Sequence, residues 1–139
     1  GSSFDGSILV RTIFRASGLA KARFANVRLI DVKMSSTDLK ETIFENCVFN
    51  GVDFKNSDLG GLSLGGQSFI GVRFDKVGLS GSSFEGAFLK NVSFKPSFAL
   101  TNKFYKALQS VRFAGASMDK LTYASLKGMG VDLSKVIVI

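Results

Sequence analysis

Large apolar residues recur at every fifth position from Phe4 to Phe94, nineteen positions without a break: Phe4, Leu9, Phe14, Leu19, Phe24, Leu29, Met34, Leu39, Phe44, Phe49, Phe54, Leu59, Leu64, Phe69, Phe74, Leu79, Phe84, Leu89 and Phe94. A spacing of five supports neither the three-and-four stripe of a helix nor the alternation of a half-buried strand. Two residues before most of these sits a small one, as at Ser7, Thr12, Ser17, Ala22, Val27, Val32 and Cys47. Two residues after, Gly or Asn recurs, as at Gly6, Asn26, Asn46, Gly51, Asn56 and Gly61. Each segment therefore turns two side chains inward and three outward. It then reaches a corner where a positive φ suits Gly and Asn. Segments of this kind bury nothing alone and must stack into a coil with a shared core.

Units such as Ser57-Asp58-Leu59-Gly60-Gly61, Thr37-Asp38-Leu39-Lys40-Glu41 and Ser83-Phe84-Glu85-Gly86-Ala87 carry a resemblance to the pentapeptide repeat family over residues 2 to 95. The resemblance implies an all-β solenoid, a right-handed quadrilateral β-helix with about twenty residues per turn. At a layer spacing of about 4.8 Å the rod is about 25 Å long. Leu62 and Gln67 are too large or too polar for the small position, so a bulge is expected across residues 60 to 68.

Repetition fails after Phe94. Residues 1 to 95 read as the regular β-helix, and residues 96 to 139 as an interrupted last coil with short helices and a C-terminal helical cap of the same domain. Pro96 stops a strand ladder, and Thr101 is placed to cap a helix that brings Phe104, Tyr105 and Leu108 together. The period resumes in a shifted frame at Phe113 and Met118. Asp119 then suits the N-cap of a helix over residues 120 to 127, with Leu121, Tyr123, Ala124 and Leu126 packing inward and Gly128 as its stop. A rival reading keeps Tyr123 as a repeat centre, because Leu133 and Val138 share its frame. In both, the apolar residues 131 to 139 close the coil, as solenoid ends require.

Composition adds mostly exclusions. With 45% hydrophobic residues spread periodically, the chain has no membrane-length run. No signal peptide is visible, which points to the cytoplasm. The sequence opens without Met and already in register, as expected for a piece of a longer chain. There is no His, and the single Cys47 sits in an inward position, which favours a structural thiol over a nucleophile. No ligand cluster for a metal or cofactor is evident. Asp38 lies one turn below Asp58, where two like charges repel or hold a cation. The resemblance implies a blander role, since Asp is the family's usual residue just before the large one. There its side chain can bond nearby backbone, and that reading is preferred.

Charge distinguishes the sides of the coil. Stacking in twenties sets Arg15, Lys33, Asp53, Lys55, Arg73, Asp75 and Lys95 on one face as an alternating ladder. A second face holds Asp5, Glu45 and Glu85 against Arg23. The whole chain carries +7. Some relatives implied by the resemblance are acidic rods that imitate DNA in the groove of gyrase. A basic rod is repelled by that groove. Its cations are interrupted by acids and its exposed aromatics are scarce, so nucleic acid is also disfavoured.

A third face, centred on Leu9, Leu29, Phe49, Phe69 and Leu89, carries Ile8, Val10, Ile30, Val48, Ile70 and Phe88 at outward positions. Such residues either suit a strand or mark an interface. The resulting expectation is a non-enzymatic scaffold with a protein partner. One alternative is a gyrase-binding resistance factor that dimerises through its C-terminal segment. The other is a targeting or substrate-binding module of a larger effector or ligase.

Overall fold

The computed structural model describes residues 3 to 14, 18 to 95 and 101 to 139, the side chains of Thr101 and Asn102 aside. Its strands are β1 (Ile8–Val10), β2 (Arg23–Ala25), β3 (Arg28–Ile30), β4 (Ile43–Glu45), β5 (Val48–Asn50), β6 (Ser68–Ile70), β7 (Phe88–Lys90), β8 (Ser117–Met118) and β9 (Ile137–Val138). Two helices interrupt them, α1 (Thr101–Gln109) and α2 (Lys120–Gly128). All strand pairing is parallel, and successive layers lie twenty residues apart, Leu9 on Leu29 on Phe49 on Phe69 on Leu89. One side of the coil is a seven-stranded sheet in the order β1-β3-β5-β6-β7-β8-β9. The other sides are held by β2 and β4 and by single bridges such as Lys33 to Asp53 and Asp38 to Asp58.

The period-five residues form the core. Phe49 and Phe69 stack at 4.7 Å between ring centroids, and Phe74 stacks on Phe54 at 5.3 Å and on Phe94 at 5.1 Å. Perpendicular contacts between neighbouring sides, such as Phe74 to Phe84 at 5.4 Å, lock the columns together. Corners impose their geometry on whatever residue stands there. Arg11, Lys21, Asp31, Ser36, Glu41 and Lys76 adopt φ between 52° and 63°, beside the Gly and Asn that the pattern favours. Their polar ends reach water while the backbone turns.

The bulge expected at residues 60 to 68 is confined to one side. Strands β5 and β6 remain paired in register. By contrast, among the described residues no backbone hydrogen bond joins residues 42 to 46 to residues 61 to 66. Leu62 is buried in a small-residue position, and a cavity of about 300 Å³ lies beside it, lined by Ile43, Glu45 and Ser63 among others.

Twenty-nine residues separate the stacked Phe84 and Phe113, nine more than in earlier layers, and α1 is nine residues long. Pro96 and the side chain of Thr101 lie outside the described residues. Leu108 and Phe104 are buried in the common core, with Tyr105 packed against it. Helix α2 replaces two repeats, after which Leu133 and Val138 keep the frame. Asp119 is its N-cap residue, but its side chain makes no cap hydrogen bond and instead accepts one from the Asn91 N–H at 3.2 Å.

The packing stripe of α2 differs from expectation. Leu121 is 79% exposed and Ala124 is also exposed, whereas Thr122 and Leu126 are buried and Tyr123 is partly so. Thr122 and Leu126 are four apart and face the coil together, and the Thr122 hydroxyl accepts from the Val92 N–H at 3.3 Å. Gly128 lies within the helix, and the reversal comes at Gly130, φ 81°. Closure by residues 131 to 139 is incomplete. Val131 and Leu133 are buried, but Ile137 and Val138 are exposed on a strand whose one partner among the described residues is β8, and Ile139 just beyond it is exposed as well.

Candidate interaction surfaces

The seven-stranded side presents two columns of outward side chains. One runs Ile8, Arg28, Val48, Ser68, Phe88, Ser117, Ile137; the other begins Val10, Ile30, Asn50, Ile70, Lys90. Polar residues interrupt the apolar members of both columns, Arg28 and Ser68 in one and Asn50 and Lys90 in the other. The apolar members alternate between columns, so that every layer from β1 to β7 shows at least one. Ile8 is 62% exposed, Val10 50% and Val48 36%, while Ile30, Ile70 and Phe88 are half-buried among their neighbours. Ile137 and Ile139 stand in the last layer of the same columns, separated from the set by Ser117 and Asp119 in the β8 layer. Counting in twenties misses them because α1 shifts the frame.

On the charged side the register stacks Lys33, Asp53 and Arg73 as expected. Among the described residues, stacking does not produce ion pairs there. The Asp53 carboxylate accepts from the Lys55 N–H at 2.9 Å, and that of Asp75 from the Ser93 hydroxyl at 2.9 Å. Lys33, Lys55, Arg73 and Lys95 extend into water, and Arg15 lies outside the described residues. Short carboxylates satisfy local donors, whereas long cations gain more from hydration than from an exposed rung.

Ion pairs form instead on the side read as acidic. Arg23 reaches Asp5 at 3.0 Å and Glu45 at 3.7 Å, and Arg112, from beyond α1, reaches Glu85 at 3.4 Å. That side is largely self-neutralised and makes a poor imitation of a phosphate backbone.

Asp38 and Asp58 each bond the backbone two residues on. Their carboxylates accept from the N–H groups of Lys40, at 3.0 Å, and Gly60, at 2.9 Å. Among the described residues no group of three metal-ligating side chains gathers. Cys47 is buried, its thiol donates to the Phe24 carbonyl at 3.0 Å, and burial pushes its pKa up. The terminal candidates divide: Phe104, Leu108 and Leu126 are core, Tyr105 and Tyr123 are partly covered, and Leu121 is free. No helix among the described residues is long and apolar enough to cross a membrane.

The family described as pentapeptide repeats matches residues 7–46 and 47–86 in eight copies. A pentapeptide repeat protein, Rfr23, from the cyanobacterium Cyanothece superposes with a TM-score of 0.62 at 19% identity, over 86% of this chain and 85% of that one. HetL, a Nostoc protein involved in regulating heterocyst differentiation, gives 0.40 at 17% identity, over 85% and 59%. QnrB1, a plasmid-mediated fluoroquinolone resistance protein, gives 0.38 at 14% identity, over 100% and 90%. No curated protein matches by sequence. Together with the four-sided parallel coil, these findings make the architecture a right-handed quadrilateral β-helix.

Proposed function

The chain belongs to the pentapeptide repeat family, and from that premise we propose that it is a non-enzymatic scaffold that docks another protein on its seven-stranded side. One observation carries the reading: β1, β3, β5, β6 and β7 each turn at least one apolar side chain to water, in a continuous zigzag along the rod. Monomeric proteins seldom leave so long an apolar strip uncovered without a use for it. The sides are flat and internally hydrogen-bonded, which suits presentation of a surface rather than enclosure of a substrate. A photo-crosslinking residue at Val48, compared with one at Lys55 on the charged side, tests the reading in extracts of the cells that make the protein. A discrete adduct from Val48 alone is expected; an adduct from Lys55 alone, or from neither, overturns it.

A dimer joined at the C-terminal segment is favoured by a separate observation: β9 has a free edge among the described residues, with Ile137, Val138 and Ile139 exposed beside it. Light scattering at low and moderate salt separates the two surfaces, because this contact is apolar and its mass is expected to be insensitive to salt.

A further inference from the structure

The proposed docking side also carries information about what covers it. Arg28 and Lys90 stand beside the zigzag, one in each column, in the layers of Ile30 and Phe88. Both are exposed, and neither has a carboxylate within ion-pairing distance among the described residues. The acid that follows Lys90 in its column, Asp119, has one carboxylate oxygen engaged by the Asn91 N–H. Cations left free inside an apolar strip favour an acidic partner. Their like charge opposes a second copy, since two such sides packed antiparallel bring Arg28 against Lys90.

Backbone chemistry narrows the partner further. The N–H and C=O groups of this side are used within the ladder, so a ligand lying on its face meets side chains only. A segment buried there must satisfy its own backbone, which a helix does and an extended strand does not. The layers of Arg28 and Lys90 are three apart, about 14 Å, or about nine or ten residues of helix. Between them Ile30, Val48, Ile70 and Phe88 supply one apolar contact per layer. Layer spacing of about 4.8 Å lies close to the 5.4 Å helical pitch, so an i, i+3, i+7 stripe stays in contact over that span.

We infer that the partner element is an acidic amphipathic helix of another protein, lying along the rod with carboxylates about nine or ten residues apart that meet Arg28 and Lys90. This rests on the docking reading above. The test is selection of the folded chain against a displayed library of amphipathic helical peptides randomised at their polar positions. Winners are then measured by fluorescence anisotropy on wild type, on Arg28→Glu with Lys90→Glu, and on Ile30→Ser with Ile70→Ser, each checked for its unfolding transition. Anionic phosphatidylserine vesicles form a separate arm.

Acidic winners are expected to bind at least tenfold more weakly to both double variants, and the charge-reversed variant is expected to prefer basic peptides. Basic or uncharged winners that still need Ile30 and Ile70 overturn the acidic helix and leave the docking side standing. Winners indifferent to Ile30 and Ile70 overturn both. Binding to vesicles without peptide winners, or to neither, overturns the acidic helix.

Discussion

Gln67 closes a corner of the layer beneath it: its side-chain N–H donates to the Phe44 carbonyl at 3.0 Å, and its side-chain oxygen accepts from the Cys47 N–H at 3.2 Å. At several other corners the residue in the Cys47 position donates directly to the carbonyl three residues back, as Ser57 does to Phe54 at 3.0 Å. Here that turn is open, and a polar side chain from the next layer bridges it. Ser57 plays the same part for Met34 and Thr37. Gln67→Leu therefore leaves a buried donor and a buried acceptor without partners. A loss of about 2–4 kcal/mol is expected in urea unfolding, and a loss below 1 kcal/mol counts against the bridge.

Gly65 and Lys76 make opposite demands on the backbone. A methyl group on Gly65 would stand 2.5 Å from the Glu85 carbonyl oxygen in the next layer, so Gly65→Ala must push two layers apart. Lys76 sits at φ 56°, a conformation that costs a non-glycine residue on the order of 1 kcal/mol. Thermal melts are expected to fall for Gly65→Ala and to rise slightly for Lys76→Gly.

Cys47 ties stability to high pH. Burial raises its pKa above the ordinary 9.0, so the folded chain holds the thiol proton at pH values where the unfolded chain releases it. Below that pH both states hold the proton and the term is absent. Above it the unfolded state binds fewer protons, and stability falls as pH rises. Wild type is expected to lose more stability than Cys47→Ala between about pH 8 and pH 10. Parallel slopes would show that the thiol is not buried.

How much of this was legible in the sequence depends on whether the register was constant. Residues 4 to 94 follow one repeat, so inward and outward positions, the charged side and the apolar side could be counted off. Whatever depends on loop length or side-chain reach could not. Arg112 meets Glu85 because α1 inserts nine residues, which no counting in twenties reveals. Thr122 rather than Leu121 faces the coil, where its hydroxyl accepts from the Val92 N–H. Stacked Cα atoms suggested a ladder of ion pairs, but the lysine ends spread into water. Leu62 marked a disturbance correctly, yet its confinement to one side depends on the intact pairing of Phe49 with Phe69.

Core and outward positions must respond differently if the zigzag is a docking side. Phe54 is 1% exposed and stacked on Phe74, and Phe54→Ala is expected to cost about 3–5 kcal/mol. Ile30→Lys with Ile70→Lys carries two charges onto the proposed surface without opening the core, at a cost of about 1 kcal/mol or less. Chemical unfolding of the three proteins side by side checks the contrast.

The most direct test combines that double variant with partner capture. Ile30→Lys with Ile70→Lys is predicted to unfold cooperatively near the wild-type midpoint and to lose the adduct formed through Val48. A folded variant that still forms the adduct, or one that no longer unfolds cooperatively, would contradict the account.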